Sequence, residues 1–325
     1  MLNVDFDLWL GESDAAEYIG KLTQIYEEKN VLKESEGALI VEVKEEEDKS
    51  PMPPLLFKRS NGTISYETTD LATILQRKKE INPDEIWYCV DARQELHFDQ
   101  VFRAARKAEL VDDKVNLEFI GFGTMNGTDG KPFKTRDGGV MSLKDLISLV
   151  EEETRKRINP DTVEEEKRES VAKTVAIATL KYADLLPFRG TDYIFDPEKF
   201  SDLDGKTGPY LLYSTIRMKS LLEKGAHLKI GEITKFKTET EKELSLTILR
   251  LPIVLDKALD SKSLNDITEY IYKLTSLYNK FYSENKILTE EDQELQKSWL
   301  TLTKIVYDIN MMLLDMLAIK VPEKM

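Results

Sequence analysis

One cysteine, Cys89, and two histidines, His97 and His227, are all that 325 residues carry of the side chains richest in redox and metal chemistry. A single thiol closes no intramolecular disulfide, so the fold must rest on its apolar cores. No metal site and no tightly bound cofactor are expected. Cys89 lies in the apolar run Ile86-Trp87-Tyr88-Cys89-Val90 and is expected to be a core thiol. No stretch approaches the roughly 18 apolar residues that a membrane span needs. Met1-Leu2-Asn3-Val4-Asp5-Phe6-Asp7 lacks the basic start of a signal peptide. The expectation is a soluble, cytoplasmic protein with no membrane partner. Positive charge is also in deficit, with 46 Lys and Arg against 60 Asp and Glu, a net charge of −14. That balance excludes a protein that coats nucleic acid through a global basic field, but leaves room for a local basic face. There is no repeat of fixed period and no low-complexity segment. The acidic runs Glu45-Glu46-Glu47-Asp48 and Glu164-Glu165-Glu166 read as solvated surface.

What is present divides into two textures, and the length and the 41% hydrophobic content are enough for two cores. Up to about residue 158, short β-rich runs alternate with helical stretches. Strands are predicted at Ala38–Val43, Leu55–Lys58, Ile86–Asp91 and Leu117–Gly123, and helices at Asp70–Lys79 and Gln94–Glu109. The second helix sets Phe98, Val101, Phe102 and Ala105 on one stripe. Strand–helix–strand alternation implies part of a parallel, doubly wound sheet, which binds ligands at its strand carboxyl ends. From residue 159 the strands are expected to stop. Asn159-Pro160 breaks the chain, and long amphipathic segments follow at Val163–Leu185, Gly208–Glu223, Glu239–Leu259, Asn265–Glu284 and Glu290–Leu317. The expected fold is thus α/β plus all-α: residues 1–158 as part of a doubly wound, Rossmann-like domain and 159–325 as a helical bundle.

Three stretches in the first part carry chemistry. In Ser65-Tyr66-Glu67-Thr68-Thr69-Asp70, Thr68 or Thr69 suits an N-cap and Asp70 a first-turn carboxylate. Alternatively, Tyr66 and Asp70 point into the sheet crevice, where Asp70 is suited to a bidentate guanidinium contact. Next, Val90-Asp91-Ala92-Arg93-Gln94-Glu95-Leu96-His97-Phe98-Asp99-Gln100 ends a buried strand in a polar cluster, and Gln94, His97 and Gln100 suit the reading of a nucleotide or amino acid. Finally, a glycine-rich loop from Gly121 to Gly139 carries Lys131, Lys134 and Arg136. It is either an exposed basic loop or one that closes over polyphosphate. In the helical part, Tyr210, Tyr213 and Arg217 share a face by spacing, as do Tyr278 and Tyr282. Such aromatics are either core or a platform for unpaired bases.

Taken in order, these stretches resemble arginyl-tRNA synthetases, class I ligases, from about Phe6 to the end of the chain. The resemblance rests on Thr68-Thr69-Asp70-Leu71-Ala72, Val90-Asp91-Ala92-Arg93-Gln94 with His97-Phe98, Lys134-Thr135-Arg136-Asp137-Gly138-Gly139, Asp204-Gly205-Lys206-Thr207-Gly208-Pro209-Tyr210 and the terminal Val321-Pro322-Glu323-Lys324-Met325. It implies that Asp70 holds the arginine guanidinium, with Tyr66 and Gln94 in the same pocket. It places His97, Gln100 and Gly121 near ATP, which enters as a substrate with Mg2+. Lys134, with Lys131 or Arg136, would occupy a degenerate KMSKS-type loop. The bundle is similar to the family's anticodon-binding domain, so Tyr210, Tyr213, Arg217, Tyr278, Tyr282 and Met325 would face tRNA(Arg). The HIGH element of such ligases is absent, and the other histidine, His227, lies in Ala226-His227-Leu228-Lys229, within the helical part. The expectation is a C-terminal portion that pairs with an N-terminal half or self-associates through exposed sheet. The two functional readings are a ligase fragment that is inactive alone and a non-catalytic tRNA-binding module.

Overall fold

The computed structural model describes residues 2–133, 141–228, 230–233 and 236–325. Their contacts divide them into two units, one of Phe6–Gly123 and one of Thr124–Met325 together with Met1–Asp5. The boundary expected after residue 158 falls inside the second unit.

In the first unit, a 3-10 turn at Glu12–Tyr18 leads into α1 (Ile19–Glu28). Strands β1 (Leu32–Ser35), β2 (Ala38–Val41) and β3 (Leu55–Lys58) follow as an antiparallel meander. The alternation implied part of a parallel sheet, and these three strands lie outside that part. Glu36 and Gly37 both have positive φ, the signature of a two-residue hairpin turn, and so short a connection can only fold the chain back antiparallel. Helix α2 (Tyr66–Glu80), strand β4 (Glu85–Asp91), helix α3 (Glu95–Lys107) and strand β5 (Asn116–Phe122) complete the unit. Here the expected parallel pairing holds, running from Glu85 beside Asn116 to Asp91 beside Phe122. One face of the β4–β5 pair carries Ile86 and Tyr88 into a core with Phe98, Val101, Ala105, Leu71 and Phe57. Phe102 packs at its edge. Cys89 falls on the opposite face and is exposed, which overturns the core-thiol expectation. The run is apolar throughout, but strand alternation sends every second residue outward. In the acidic run, Glu45–Glu47 are exposed, whereas the Asp48 carboxylate is tucked against the Arg103 guanidinium at 2.8 Å.

In the second unit, β6 (Met125–Asn126) pairs in parallel with β7 (Tyr193–Ile194), a short strand beyond the point where strands were expected to stop. Helices α4 (Leu143–Arg155) and α5 (Glu165–Leu185) pack together on a small core of Leu146, Val150, Ala176, Leu180 and Phe195. The short α6 (Pro197–Phe200) precedes the bundle helices α7 (Gly208–Lys224), α8 (Glu239–Ile248), α9 (Leu251–Ser261), α10 (Asn265–Glu284) and α11 (Gln293–Met316). The single helix expected over Glu239–Leu259 is two, because Pro252 lacks the N–H that would continue the ladder. The bundle core is large and aromatic, with Trp299, Tyr182, Tyr278 and Phe281 all enclosed.

Candidate functional site

Ser65, not Thr68 or Thr69, caps α2. Its Oγ accepts the Thr68 N–H and donates to the Leu56 carbonyl at 2.5 Å, tying the helix start to β3. Thr68 Oγ1 adds a second tie, donating to the Phe57 carbonyl at 2.6 Å. With its first turn so fixed, α2 directs Asp70 inward, where the residue is only 8% exposed. The Asp70 Oδ2 lies 2.7 Å from His97 Nε2, across the seam between α2 and α3. The Tyr66 ring stands 5.1 Å from the His97 ring and is half open to solvent. Partial burial, then the charges of Asp70 and Glu12, push the Tyr66 hydroxyl above its ordinary range. Tyr66, Asp70 and His97 are therefore brought together, and His97 belongs with the carboxylate.

The neighbouring candidates divide. Gln94 is half-buried at the start of α3, and its amide makes no hydrogen bond among the described residues. Gln100 instead donates to the carbonyls of Pro53 and Pro54, at 2.8 and 3.3 Å, and so anchors the segment before β3. At the end of β5, a Cβ on Gly121 would meet the Phe119 ring at 2.7 Å and the Ala92 Cα at 3.1 Å, so glycine lets β5 approach the turn after β4. In the other unit, Lys131 is exposed on a turn closed by the Gly127 N–H donating to its carbonyl. Lys134 and Arg136 lie outside the described residues. Sequence reasoning missed Tyr88. Its hydroxyl is buried with no hydrogen-bond partner among the described residues, and the Arg77 guanidinium sits 5.1 Å from its ring centroid. Its position between Trp87 and Cys89, on the opposite face of the strand from both, was the available signal.

The second candidate site lies on α7 and α10. Asn279, which the sequence reading did not single out, is its hub. Its Nδ2 donates to Tyr210 Oη at 2.8 Å and to Ser214 Oγ at 2.9 Å, while its Oδ1 accepts from Arg217 Nη2. The Arg217 guanidinium stacks 4.8 Å from the Tyr282 ring centroid and 5.9 Å from that of Tyr213. Tyr213 is 44% exposed. Tyr210, Tyr213, Arg217 and Tyr282 thus form one polar, aromatic face. Tyr278 does not join it. Its ring is fully enclosed beneath Tyr282, its hydroxyl reaches Thr303 Oγ1 at 3.4 Å, and burial raises its pKa. A ring so enclosed offers no platform, which corrects the expectation that it faces RNA. Met325 packs against the bundle core, and its carbonyl accepts from Thr162 Oγ1 at 3.0 Å. His227 is exposed. Among the described residues, no group of three or more His, Cys, Asp or Glu side chains is gathered to hold a metal, and no helix is long and apolar enough to cross a membrane.

Comparisons with known proteins agree on the family. Residues 1–197 match the model of the class I (R) tRNA synthetase catalytic domain, and residues 211–325 match the DALR anticodon binding domain. The chain is 43% identical to an arginine–tRNA ligase of Agathobacter rectalis, and 40% identical to one of Alkaliphilus oremlandii. In both cases all of the chain is covered but only 56% of the relative. The chain therefore spans little more than half the length of the curated relatives it matches. The fold is like that of the arginyl-tRNA synthetase of Thermus thermophilus, with a TM-score of 0.82 at 20% identity over all of this chain and 61% of that one. It is also like that of the Plasmodium falciparum enzyme, with a TM-score of 0.81 at 22% identity over all of this chain and 55% of that one. The chain belongs to the arginyl-tRNA synthetase family and corresponds to its C-terminal portion, class I catalytic-domain sequence followed by a DALR anticodon-binding domain.

Proposed function

We propose that this chain supplies the amino-acid pocket and the tRNA-recognition domain of an arginine–tRNA ligase and is inactive without the remainder of the catalytic domain. The buried Asp70 carboxylate, held by His97 beside the Tyr66 ring, is the observation that carries the reading. A partly desolvated carboxylate at a helix start receives a guanidinium by charge-assisted hydrogen bonds, a contact that a neutral side chain cannot replace. Gln94, with its uncommitted amide, contacts the same amino acid. The arginine carboxylate attacks the α-phosphate of ATP, which enters as a magnesium-bound substrate, and pyrophosphate leaves. Lys131, Lys134 and Arg136 lie on the loop assigned to balancing that departing charge. A ribose hydroxyl at the tRNA 3′ end then attacks the arginyl carbonyl and releases AMP. Tyr213, Arg217 and Tyr282, supported by Tyr210, take unpaired anticodon bases by stacking, and Met325 closes the same domain. We assign the protein to the cytoplasm, where tRNA is charged.

The sheet supports a further partner. The face of β4 and β5 that carries Cys89 leaves Trp87 45% and Phe122 47% exposed. Doubly wound sheets are covered on both faces. The complementary half of the catalytic domain is the occupant we propose, with self-association as the outcome in its absence. A second reading, a tRNA-binding module with no ligase role, is supported by the match of residues 211–325 to the DALR anticodon binding domain. ATP–pyrophosphate exchange separates the two. The chain alone is expected to show no exchange, and exchange should appear when the N-terminal half of a relative and tRNA are added. No exchange in the reconstituted mixture, with both parts folded, would favour the binding module.

A further inference from the structure

The contact between Asp70 and His97 carries more than proximity. An ionised carboxylate offers only acceptors, so the hydrogen in the 2.7 Å contact sits on His97 Nε2. That bond occupies Asp70 Oδ2. The other oxygen, Oδ1, has no hydrogen-bond partner among the described residues and is not among the atoms sealed from solvent. His97 is itself held between two rings, Tyr66 at 5.1 Å and Phe98 at 4.9 Å, the latter nearly perpendicular. The side chains of the pair are 18% and 12% exposed for His97 and Asp70, respectively, so solvent cannot readily substitute for the bond. The terminal torsion of a free carboxylate is broad. One oxygen pinned from the side removes that freedom and leaves the other aimed outward.

We propose that His97 is the positioning residue of the amino-acid pocket: its Nε2–H pins Asp70 Oδ2 so that Oδ1 meets the substrate guanidinium in a fixed direction. The proposal rests on Asp70 being the arginine-binding carboxylate. It moves His97 from nucleotide contact to amino-acid selection, and it makes Tyr66 a support for the imidazole as well as a pocket wall.

The chain's two histidines make the test direct. Imidazole nitrogen NMR of the 325-residue protein should show a hydrogen on His97 Nε2, and Asp70→Asn should move that signal while leaving His227 unchanged. Millimolar arginine should perturb His97 and not His227, and citrulline, its neutral isostere, should do neither. His97→Leu should weaken arginine binding about tenfold or more, the loss of one hydrogen bond to a charged group. His97→Gln, which retains an N–H donor at similar reach, should bind arginine within about threefold of the parent. Equal arginine binding by the parent and His97→Leu would overturn the positioning role and leave the arginine pocket standing. A parent chain whose His97 responds to Asp70→Asn but not to arginine would overturn the pocket reading, and the proposal with it. If His97→Leu does not fold, the His97→Gln affinity and the parent imidazole signature still decide.

Discussion

Tyr213 and Tyr278 show how one residue type serves two ends in the same bundle. Tyr278 is enclosed in the core, and Tyr213 stands 44% exposed beside the Arg217 guanidinium. Replacing Tyr278 by alanine is expected to cost about 3–5 kcal/mol of stability, as for other large aromatic truncations in cores. Tyr213→Ala should change stability by no more than about 0.5 kcal/mol, since it removes no core contact. Thermal or urea unfolding of the two variants checks the contrast, and a Tyr213→Ala variant as damaged as Tyr278→Ala would contradict it. Spacing alone could place Tyr278 and Tyr282 on one helical face but could not say which of the two lay beneath the other. Asn279 was illegible for a related reason, because a lone amide among core-forming residues has no signal until its partners on α7 are known. Asp91 makes a separate prediction. The side chain and backbone N–H of Arg93 hold its carboxyl down to about 2. A depressed folded pKa contributes stability that is present above the ordinary carboxylate value and is lost as pH falls through the folded one. The Asp91–Arg93 contact should thus be intact at neutral pH and weaken only between about pH 4 and about pH 2. Carboxyl NMR that found Asp91 titrating near the ordinary value would contradict it.

Among the elements, α2 and α7 depend on single small residues at their starts. Ser65 ties α2 to β3 through the Thr68 N–H and the Leu56 carbonyl. Ser65→Ala should cost about 1 kcal/mol as a lost cap, and it should loosen the turn that aims Asp70, so arginine binding should fall alongside thermal stability. Gly208 opens α7 where that helix crosses α5. A Cβ there would stand 2.5 Å from the Ala178 carbonyl oxygen, a backbone atom that cannot swing away. Gly208→Ala is expected to destabilise by about 1–3 kcal/mol, and an unchanged melting temperature would show that the helices can part at little cost. Long helices were legible where apolar residues recur at helical spacing, as in Asn265–Glu284, whose bounds match expectation. The break between α8 and α9 was written in Pro252 but was overridden by an uninterrupted apolar pattern. The β1–β2 hairpin escaped notice because Glu36-Gly37 lacks the Asn-Gly or Asp-Gly turn signal, although Gly37 supplies the needed positive φ.

For the whole molecule, the described residues form two separately cored units. The first holds a buried carboxylate and imidazole at the start of two helices, and the second holds a polar aromatic face over a dense helical core. With a net charge of −14, the tRNA binding proposed above requires local attraction, by residues such as Arg217 and not by a global field. The parallel β4–β5 pair was legible from its apolar runs. The exposure on its Cys89 face was not legible, since no property of Trp87 or Phe122 in the sequence says how far each stands open to solvent. The measurement that decides most is the affinity of the 325-residue chain and of its Tyr213→Ala variant for arginine-accepting tRNA, with the same tRNA carrying an altered anticodon as control. The parent chain should prefer the native anticodon, and Tyr213→Ala should bind that tRNA about 5- to 150-fold more weakly, the loss of one base stack of about 1–3 kcal/mol. Equal binding of both tRNAs by the parent, or a Tyr213→Ala variant that binds as the parent does, would contradict anticodon recognition by this face.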